Sequence, residues 1–475
     1  MNIFVETVIL KMIYKVSRMH TMVFLKKLMS NNILRTVDNH KEPIVDENSI
    51  ENLRQMASSS IEDLTSENGG NILIYPQSFG IYGDNIEKNY IFDIEESKKI
   101  LITNNVMGFV GFKGTSVSIS SRFTNDNGKD YFLHYLLQKV FSINIFDLDY
   151  TSDNKEHIFD ILLFSFPHFL NKAMRQGLYK EYKTMHYNDS SIRGRIDINR
   201  YIRYDIPFQG KIAYGTREFA FDNNITELIR HTIEFIKVKD LGQNILSINS
   251  ETVDNVRLIQ QVTLNYSKSQ RREVIAANIR PISHPYFSEY RDLQKICLMI
   301  LRYEELKYGN DNNKIHGILF DGAWLWEEYL NTILKSLKFK HPKNKEHTGR
   351  LHLFQKEEGK KNRSCYPDFY KNDIVLDAKY KKYENKSVAE INREDLFQII
   401  SYMWVLKAHI GGIIFPVKVK DSFSESRKLM GYNGQISTFG LKVNSTAKTY
   451  KDFCAYMQRE EIGLVKQIES INKQE

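Results

Sequence analysis

Along this chain, short β-branched and aromatic runs punctuated by Gly and Asn give way to long segments with apolar residues every three to four positions. From about 71 to 123, the runs NILIYPQSFGIYG, NYIFDI, KKILIT and GFVGFKGTSVSISSRF predict strands. In VSISSRF the alternation puts Val117 and Ile119 on one face and Ser118 and Ser120 on the other. A helical period takes over from about 128 to 183 and returns from 223 to 305, for example in NNITELIRHTIEFIKV and YRDLQKICLMILRYEELKYG. A short basic segment, SSIRGRIDINRYIRYD (190–205), separates them. Residues 38–70 are polar and turn-rich around one short helical piece and read as a connector. The first thirty residues read as an amphipathic helix. Glu6, Lys11, Lys15 and Arg18 break their apolar run far short of the roughly 18 residues that span a bilayer.

These changes of texture divide the chain into a helical and linker segment (1–69), a β-rich then helical region (70–180), a helical linking region (181–308) and an α/β domain (309–475) that starts at the linker GNDNNK. The expected class is a multidomain α+β protein.

In the last of these regions, ILFDGAWLWEEYLNTILKSLKF has helical spacing, with Phe320, Ala323, Trp324, Leu330 and Leu334 on one stripe. Glu327 shares that stripe, whereas Glu328 falls on the polar side. An inward glutamate needs a partner, and it either finds one or lies at the edge of the stripe bonded to a backbone donor. The next stretch, SCYPDFYKNDIVLDAKYKKY, predicts a hairpin turning at Asn372-Asp373. Lys371 then faces Ile374, and counting outward sets Asp368 opposite Asp377, with Lys379 on the same face two residues on. Two carboxylates roughly 4.5–5.5 Å apart at Cβ repel, and one protonates unless something compensates. A hard divalent cation with oxygen ligands resolves the conflict. So does a solvated hairpin whose acids pair with the lysines of KYKKY, and a slip of one residue in register would separate the acids altogether. Downstream, REDLFQIISYMWVL is a helix with Asp395, Gln398, Tyr402 and Val405 on one face, and GGIIFPVKV reads as a buried strand.

Composition narrows the field. At 475 residues, 42% hydrophobic and 26% charged, the chain is long and apolar enough for several cores. Lys+Arg 66 against Asp+Glu 58 gives a net charge of +8, which permits a polyanionic partner without requiring one. Arg193, Arg195, Arg200 and Arg203 form either a phosphate patch or a solvated cluster. The three cysteines, Cys297, Cys365 and Cys454, are too scattered for a thiolate metal site or a disulfide framework and point to a reducing cytoplasm. No phosphate-binding G-x-x-x-x-G-K-[ST] loop occurs.

The order helix with Glu, acid strand, acid-x-Lys strand, helix with Gln and Tyr, strand resembles the PD-(D/E)XK nuclease superfamily. Pro367-Asp368 matches the PD, Asp377-Ala378-Lys379 the D-x-K, and Gln398 with Tyr402 the Q-x-x-x-Y helix. The resemblance implies Asp368 and Asp377 as ligands of Mg²⁺ (with Mn²⁺ as the alternative ion) and Lys379 as the catalytic lysine. Glu327 would be an auxiliary metal ligand or an acid just behind the ligands, and Gln398 would steady the site or touch DNA. Lys360, Lys361, Arg363 and Tyr402 are candidate DNA contacts. Upstream, Gly177, Leu178 and Tyr182 followed by Gly194 to Asp197 (G-R-I-D) are similar to the linking region of McrC proteins. REFAFDNNITELIRHTI and the strand pair in GFVGFKGTSVSISSRF extend the likeness. It implies a phage-defence restriction subunit that cleaves DNA and stimulates a McrB-like AAA+ GTPase hexamer docked through the amino-terminal β-rich region. A stand-alone repair nuclease and a non-catalytic adaptor are the alternatives.

Overall fold

The computed structural model describes residues 32–44, 46–58, 72–76, 90–125, 128–141, 157–239, 242–308, 315–342, 349–354, 362–383, 386–418, 424–431 and 433–471. The expected amphipathic leader and the 309–314 linker lie outside them. The chain forms two compact units, one of residues 1–140, 146–151 and 304–475 and one of residues 141–145 and 152–303. This division differs from the four stretches expected above.

In the first unit, strands β1 (Asn32–Val37), β2 (Lys41–Pro43), β3 (Ile72–Tyr75), β4 (Phe92–Glu95), β5 (Ile100–Thr103), β6 (Val106–Phe112) and β7 (Thr115–Ser120) accompany helices α1 (Ile50–Ala57) and α2 (Tyr131–Phe141). β1 and β2 correct the expectation of a helical and linker segment before residue 70. β1 pairs in parallel with β7 over its full length, Leu34 opposite Val117, and β2 pairs with β5. The turn-rich polar residues around these strands hide them from a local reading. In β7, Thr115, Val117 and Ile119 are buried and the alternate serines half-buried, as their alternation predicts. Val117 and Ile119 join a core with Leu53, Met56, Phe92, Leu101 and Val110.

The second unit holds α3 (His157–Met174), β8 (Glu181–Asp189), β9 (Arg195–Ile196), α4 (Ile198–Tyr204), β10 (Ile212–Ala220), α5 (Asn224–Lys237), α6 (Gly242–Leu246), α7 (Ser250–Val262), α8 (Arg271–Ala277) and most of α9 (Tyr290–Tyr308). The three-stranded sheet β8-β10-β9 adds strands to a linking region expected to be helical. β8 is largely exposed along its length, so it lacks the in-out alternation that marks a half-buried strand. Asn223 starts α5 with a capping box, its side chain accepting the Ile225 and Thr226 N–H groups. Asp197 of the G-R-I-D stretch caps α4. Arg193 is engaged within the fold, its Nε donating to the Tyr214 hydroxyl at 3.2 Å. A Cβ on Gly194 would collide with the backbone carbonyl of Gly215. Gly194→Ala is therefore expected to destabilise the chain by about 1–3 kcal/mol, read as an earlier thermal unfolding transition.

Back in the first unit, β11 (His316–Asp321) precedes α10 (Gly322–Leu334). Helical spacing in the sequence extends this helix back through Phe320. Instead His316–Asp321 is a strand between β6 and β3, completing the order β1-β7-β6-β11-β3, and Asp321 caps the helix. The segment expected to open a separate carboxyl-terminal domain is thus built into the amino-terminal sheet. The buried face of α10 is Leu325, Trp326, Tyr329, Leu330, Ile333 and Leu334, which leaves Glu327 half-buried at its edge.

After the short strands β12 (Leu351–His352) and β13 (Ser364–Cys365) come β14 (Phe369–Lys371), β15 (Ile374–Ala378), α11 (Arg393–Leu406), β16 (Ile410–Lys418), β17 (Ser426–Lys428), β18 (Gln435–Val443) and α12 (Tyr450–Ile471). They form a second five-stranded sheet, ordered β14-β15-β16-β18-β17. The pairs β15–β16 and β16–β18 are parallel and both edge strands run antiparallel. β15 and β16 are apolar and buried almost throughout, as strands covered on both faces should be. Glu461 on α12 ties helices together, accepting the hydroxyls of Tyr135 at 2.7 Å and Tyr329 at 2.9 Å and pairing with Lys139 at 2.9 Å.

Candidate active site

The β14–β15 hairpin sets the site. Lys371 pairs with Ile374, Tyr370 with Val375 and Phe369 with Leu376, the register expected from the turn. Asn372 alone of the two turn residues takes a left-handed φ, of 49°. Asp368 stands just before β14 and Asp377 near the end of β15, and the hairpin brings them together: the Ala378 N–H donates to Asp368 Oδ2 at 2.6 Å.

Asp377 is fully buried at the end of an apolar strand. Neither of its carboxylate oxygens has a hydrogen-bond partner among the described residues. Lys379 Nζ lies 2.8 Å from Oδ2, close enough for an ion pair but without hydrogen-bond geometry. Burial, with repulsion from Asp368 behind it, pushes the Asp377 carboxyl up to about 7 against the pull of Lys379. Burial works against the charge on Lys379 as well, yet Asp377, Asp368 and Asp395 together hold it above the ordinary lysine range.

Lys379 is steered from the far side. Its Nζ donates to Gln398 Oε1 at 2.8 Å, and Gln398 Nε2 donates to the Tyr402 hydroxyl at 2.9 Å. Gln398 and Tyr402 sit one turn apart on α11, whose Ile399 and Met403 pack into the core under the sheet. Tyr402 is buried behind Gln398.

Glu327 lies to one side. His341 Nδ1 is 3.8 Å from Glu327 Oε1 and 2.8 Å from the Asp368 carbonyl oxygen, and its Nε2 is 3.6 Å from Glu328 Oε1. Burial opposes charge on His341, but Glu328 and the Asp368 carbonyl outweigh it and raise its pKa. Among the described residues no three His, Cys, Asp or Glu groups converge as a ready metal cage, so Glu327 does not complete one with the two aspartates. Arg363 is exposed, its carbonyl accepting the Leu353 N–H. Lys360 and Lys361 lie outside the described residues.

The sequence assigned no role to two participants, one of which, Asp395, it placed on the face of Gln398 and Tyr402. His341 gave no signal, being a lone histidine. Asp395 did give one, standing three residues before Gln398 on the same helix face.

The donor set suits a hard divalent cation. A buried carboxylate with no hydrogen bond among the described residues, beside a second carboxylate and with one lysine against it, leaves room for further positive charge. Mg²⁺ takes one or two carboxylates and fills its remaining positions with water and phosphate oxygens.

Residues 101–416 match the family model of the McrBC 5-methylcytosine restriction system component. That span is well over half of the chain, and the chain belongs to this family. Among solved structures it is similar to a refined half-complex from a tetradecameric assembly of Thermococcus gammatolerans McrB AAA+ hexamers with bound McrC. The identity is 14% and the TM-score 0.47, covering 90% of this chain and 100% of that chain. A cryo-EM structure of the Thermococcus gammatolerans McrBC complex is similar at 12% identity and a TM-score of 0.33, covering 66% and 90%. No curated protein matches. Among the described residues no helix is long and apolar enough to cross a membrane.

Proposed function

We propose that this chain is the Mg²⁺-dependent DNA endonuclease subunit of a McrBC-like restriction system, with a PD-(D/E)XK nuclease domain in its carboxyl-terminal third. The observation that carries this is Asp377, buried beside Asp368 with Lys379 Nζ 2.8 Å from one oxygen and, among the described residues, no hydrogen bond to either. A structural ion pair would satisfy its own acid; this one leaves acceptor positions open.

Asp368 and Asp377 would hold the cation, Asp368 being fixed by the Ala378 N–H and Asp377 by its strand. Bound there, Mg²⁺ supplies an activated water and stabilises charge building on a phosphate. Lys379, kept charged by its acidic neighbours and aimed by Gln398, stabilises the negative charge that develops on the scissile group. Glu327, at the edge beside His341, acts as an auxiliary acid and not as part of a preformed cage. The GTP-driven motor is a separate AAA+ ring docked through the amino-terminal β-rich region, in keeping with the missing phosphate-binding loop.

The test mixes the purified chain with the AAA+ partner encoded beside it, DNA, GTP and Mg²⁺. The wild type should cut and should raise GTP turnover. Lys379→Ala should lose cutting and keep the rise in turnover. Undiminished cutting by Lys379→Ala would sink the assignment of the site, and no rise in turnover with the wild type would favour a stand-alone nuclease.

A further inference from the structure

Beyond β15 the chain runs KYKKY, and its side chains part in two directions. Tyr380 is buried toward the amino-terminal sheet, under the Arg122 guanidinium at 4.5 Å from the ring centre. Lys379, Lys381 and Tyr383, at alternate positions, all turn to Asp395 on α11. Lys381 Nζ donates to both Asp395 oxygens, at 2.9 and 2.8 Å. The Tyr383 hydroxyl donates to Oδ2, and Lys379 Nζ is 3.8 Å from Oδ1.

Asp395 is itself 4% exposed, whereas the Lys381 side chain remains 42% exposed. One buried carboxylate therefore holds one lysine inside the acid site and a second at its rim. Two ammonium groups drawn to one point repel each other, and the charge of Asp395 offsets that repulsion. An amide in its place would be neutral and would add a donor of its own facing two donors.

We propose that Asp395 is a positioning residue for DNA cleavage, fixing Lys379 against Asp377 and Gln398 and presenting Lys381 as a contact for a backbone phosphate. The inference rests on the nuclease reading above. Lys379 touches the reacting group and Asp395 acts through it. Lys381 supplies affinity, because a cation at the rim of a phosphodiesterase site neutralises a phosphate of the bound strand without reading its base.

The experiment uses the full chain. Metal-free wild type and Asp395→Asn are exposed to reductive methylation, and labelling of Lys379 and Lys381 is followed by mass spectrometry. Both lysines should label severalfold faster in the variant, with the melting transition retained. With partner ring, GTP and Mg²⁺, Asp395→Asn should lower kcat by about 10–100-fold, the usual cost of losing a partner that orients a site residue. Lys381→Met should instead raise KM for DNA and reduce the slope of log affinity against log salt by about 1. Unchanged Lys379 labelling in folded Asp395→Asn overturns the proposal, as does faster labelling with an unchanged kcat, which makes Asp395 a structural staple. If Asp395→Asn does not fold, a Lys381→Met salt slope equal to wild type overturns the Lys381 half on its own. A wild type that cuts no DNA overturns the nuclease reading instead, and the labelling rates still decide whether Asp395 holds the lysines.

Discussion

Asp377→Asn is expected to abolish DNA cleavage while raising the thermal stability of the metal-free protein. The two effects share one cause. Burial and Asp368 raise the Asp377 pKa, so the contribution of this group to stability is present at low pH and is lost as pH rises through about 7. At pH 8 the wild type carries an ionised carboxylate in its core, offset only by the Lys379 ammonium 2.8 Å from one oxygen, and the amide carries no such charge. A gain of roughly 2–4 °C in Tm corresponds to about 1 kcal/mol for a domain of 150–250 residues. On the proposed reading, the same substitution removes the ligand charge that a cation would need. Millimolar Mg²⁺ should therefore raise the wild-type Tm, because binding to the native state adds stability by mass action, and should leave Asp377→Asn where it is. Differential scanning fluorimetry with and without Mg²⁺, beside a plasmid-cleavage assay, checks both halves. A variant that cuts DNA, or one that melts earlier than wild type without metal, counts against the site as described.

Arg122→Met is expected to cost more stability than any other single change considered, about 3–5 kcal/mol in urea unfolding. Asp38 follows β1 and Arg122 follows β7, and the parallel pairing of these strands brings them together. The Arg122 backbone N–H donates to Asp38 Oδ1 at 2.6 Å and its Nε to Oδ2 at 2.8 Å. The Asp38 side chain is fully buried and that of Arg122 is 8% exposed. Burial pushes the Asp38 carboxyl above the ordinary range even with the guanidinium beside it. Removing the arginine leaves a buried charge with no counterion. Replacing both residues, Asp38→Leu with Arg122→Met, should recover much of the loss, since the penalty belongs to the uncompensated charge. A loss below about 1 kcal/mol, the range of an exposed pair, would refute this. The Tyr380 hydroxyl lies 3.5 Å from Asp38 Oδ1, and Tyr380 is bonded directly to Lys379. Cleavage should accordingly fall in Arg122→Met at temperatures where the variant is still folded.

Much of the site could be read before the fold was known, for a specific reason. A two-residue turn fixes a hairpin register, and register decides which side chains share a face, so Asp368, Asp377 and Lys379 followed from counting. Gln398 and Tyr402 followed from the helical period, and the buried strands β15 and β16 from their unbroken apolar runs. The misreadings also have physical causes. ILFD before Gly322 is a short apolar run, and such a run fits a buried strand or a helix equally well. It pairs with β6 and β3, which are more than two hundred residues earlier in the chain. The exposed β8 had no face to alternate against.

Local and patterned information in the chain was enough for an α+β class, the acid-acid-lysine face, its helix with Gln398 and Tyr402, and membership of the restriction-component family. Tertiary structure alone decided what those groups are worth. It buried Asp377 with no hydrogen-bond partner among the described residues, drew Asp395 under two lysines, left Glu327 at the edge beside His341, and set the Asp38–Arg122 pair against Tyr380. Each of these depends on which surfaces exclude water and which distant residues meet. Periodicity reports the face a side chain occupies, but the field it experiences is set by what the rest of the chain packs against it.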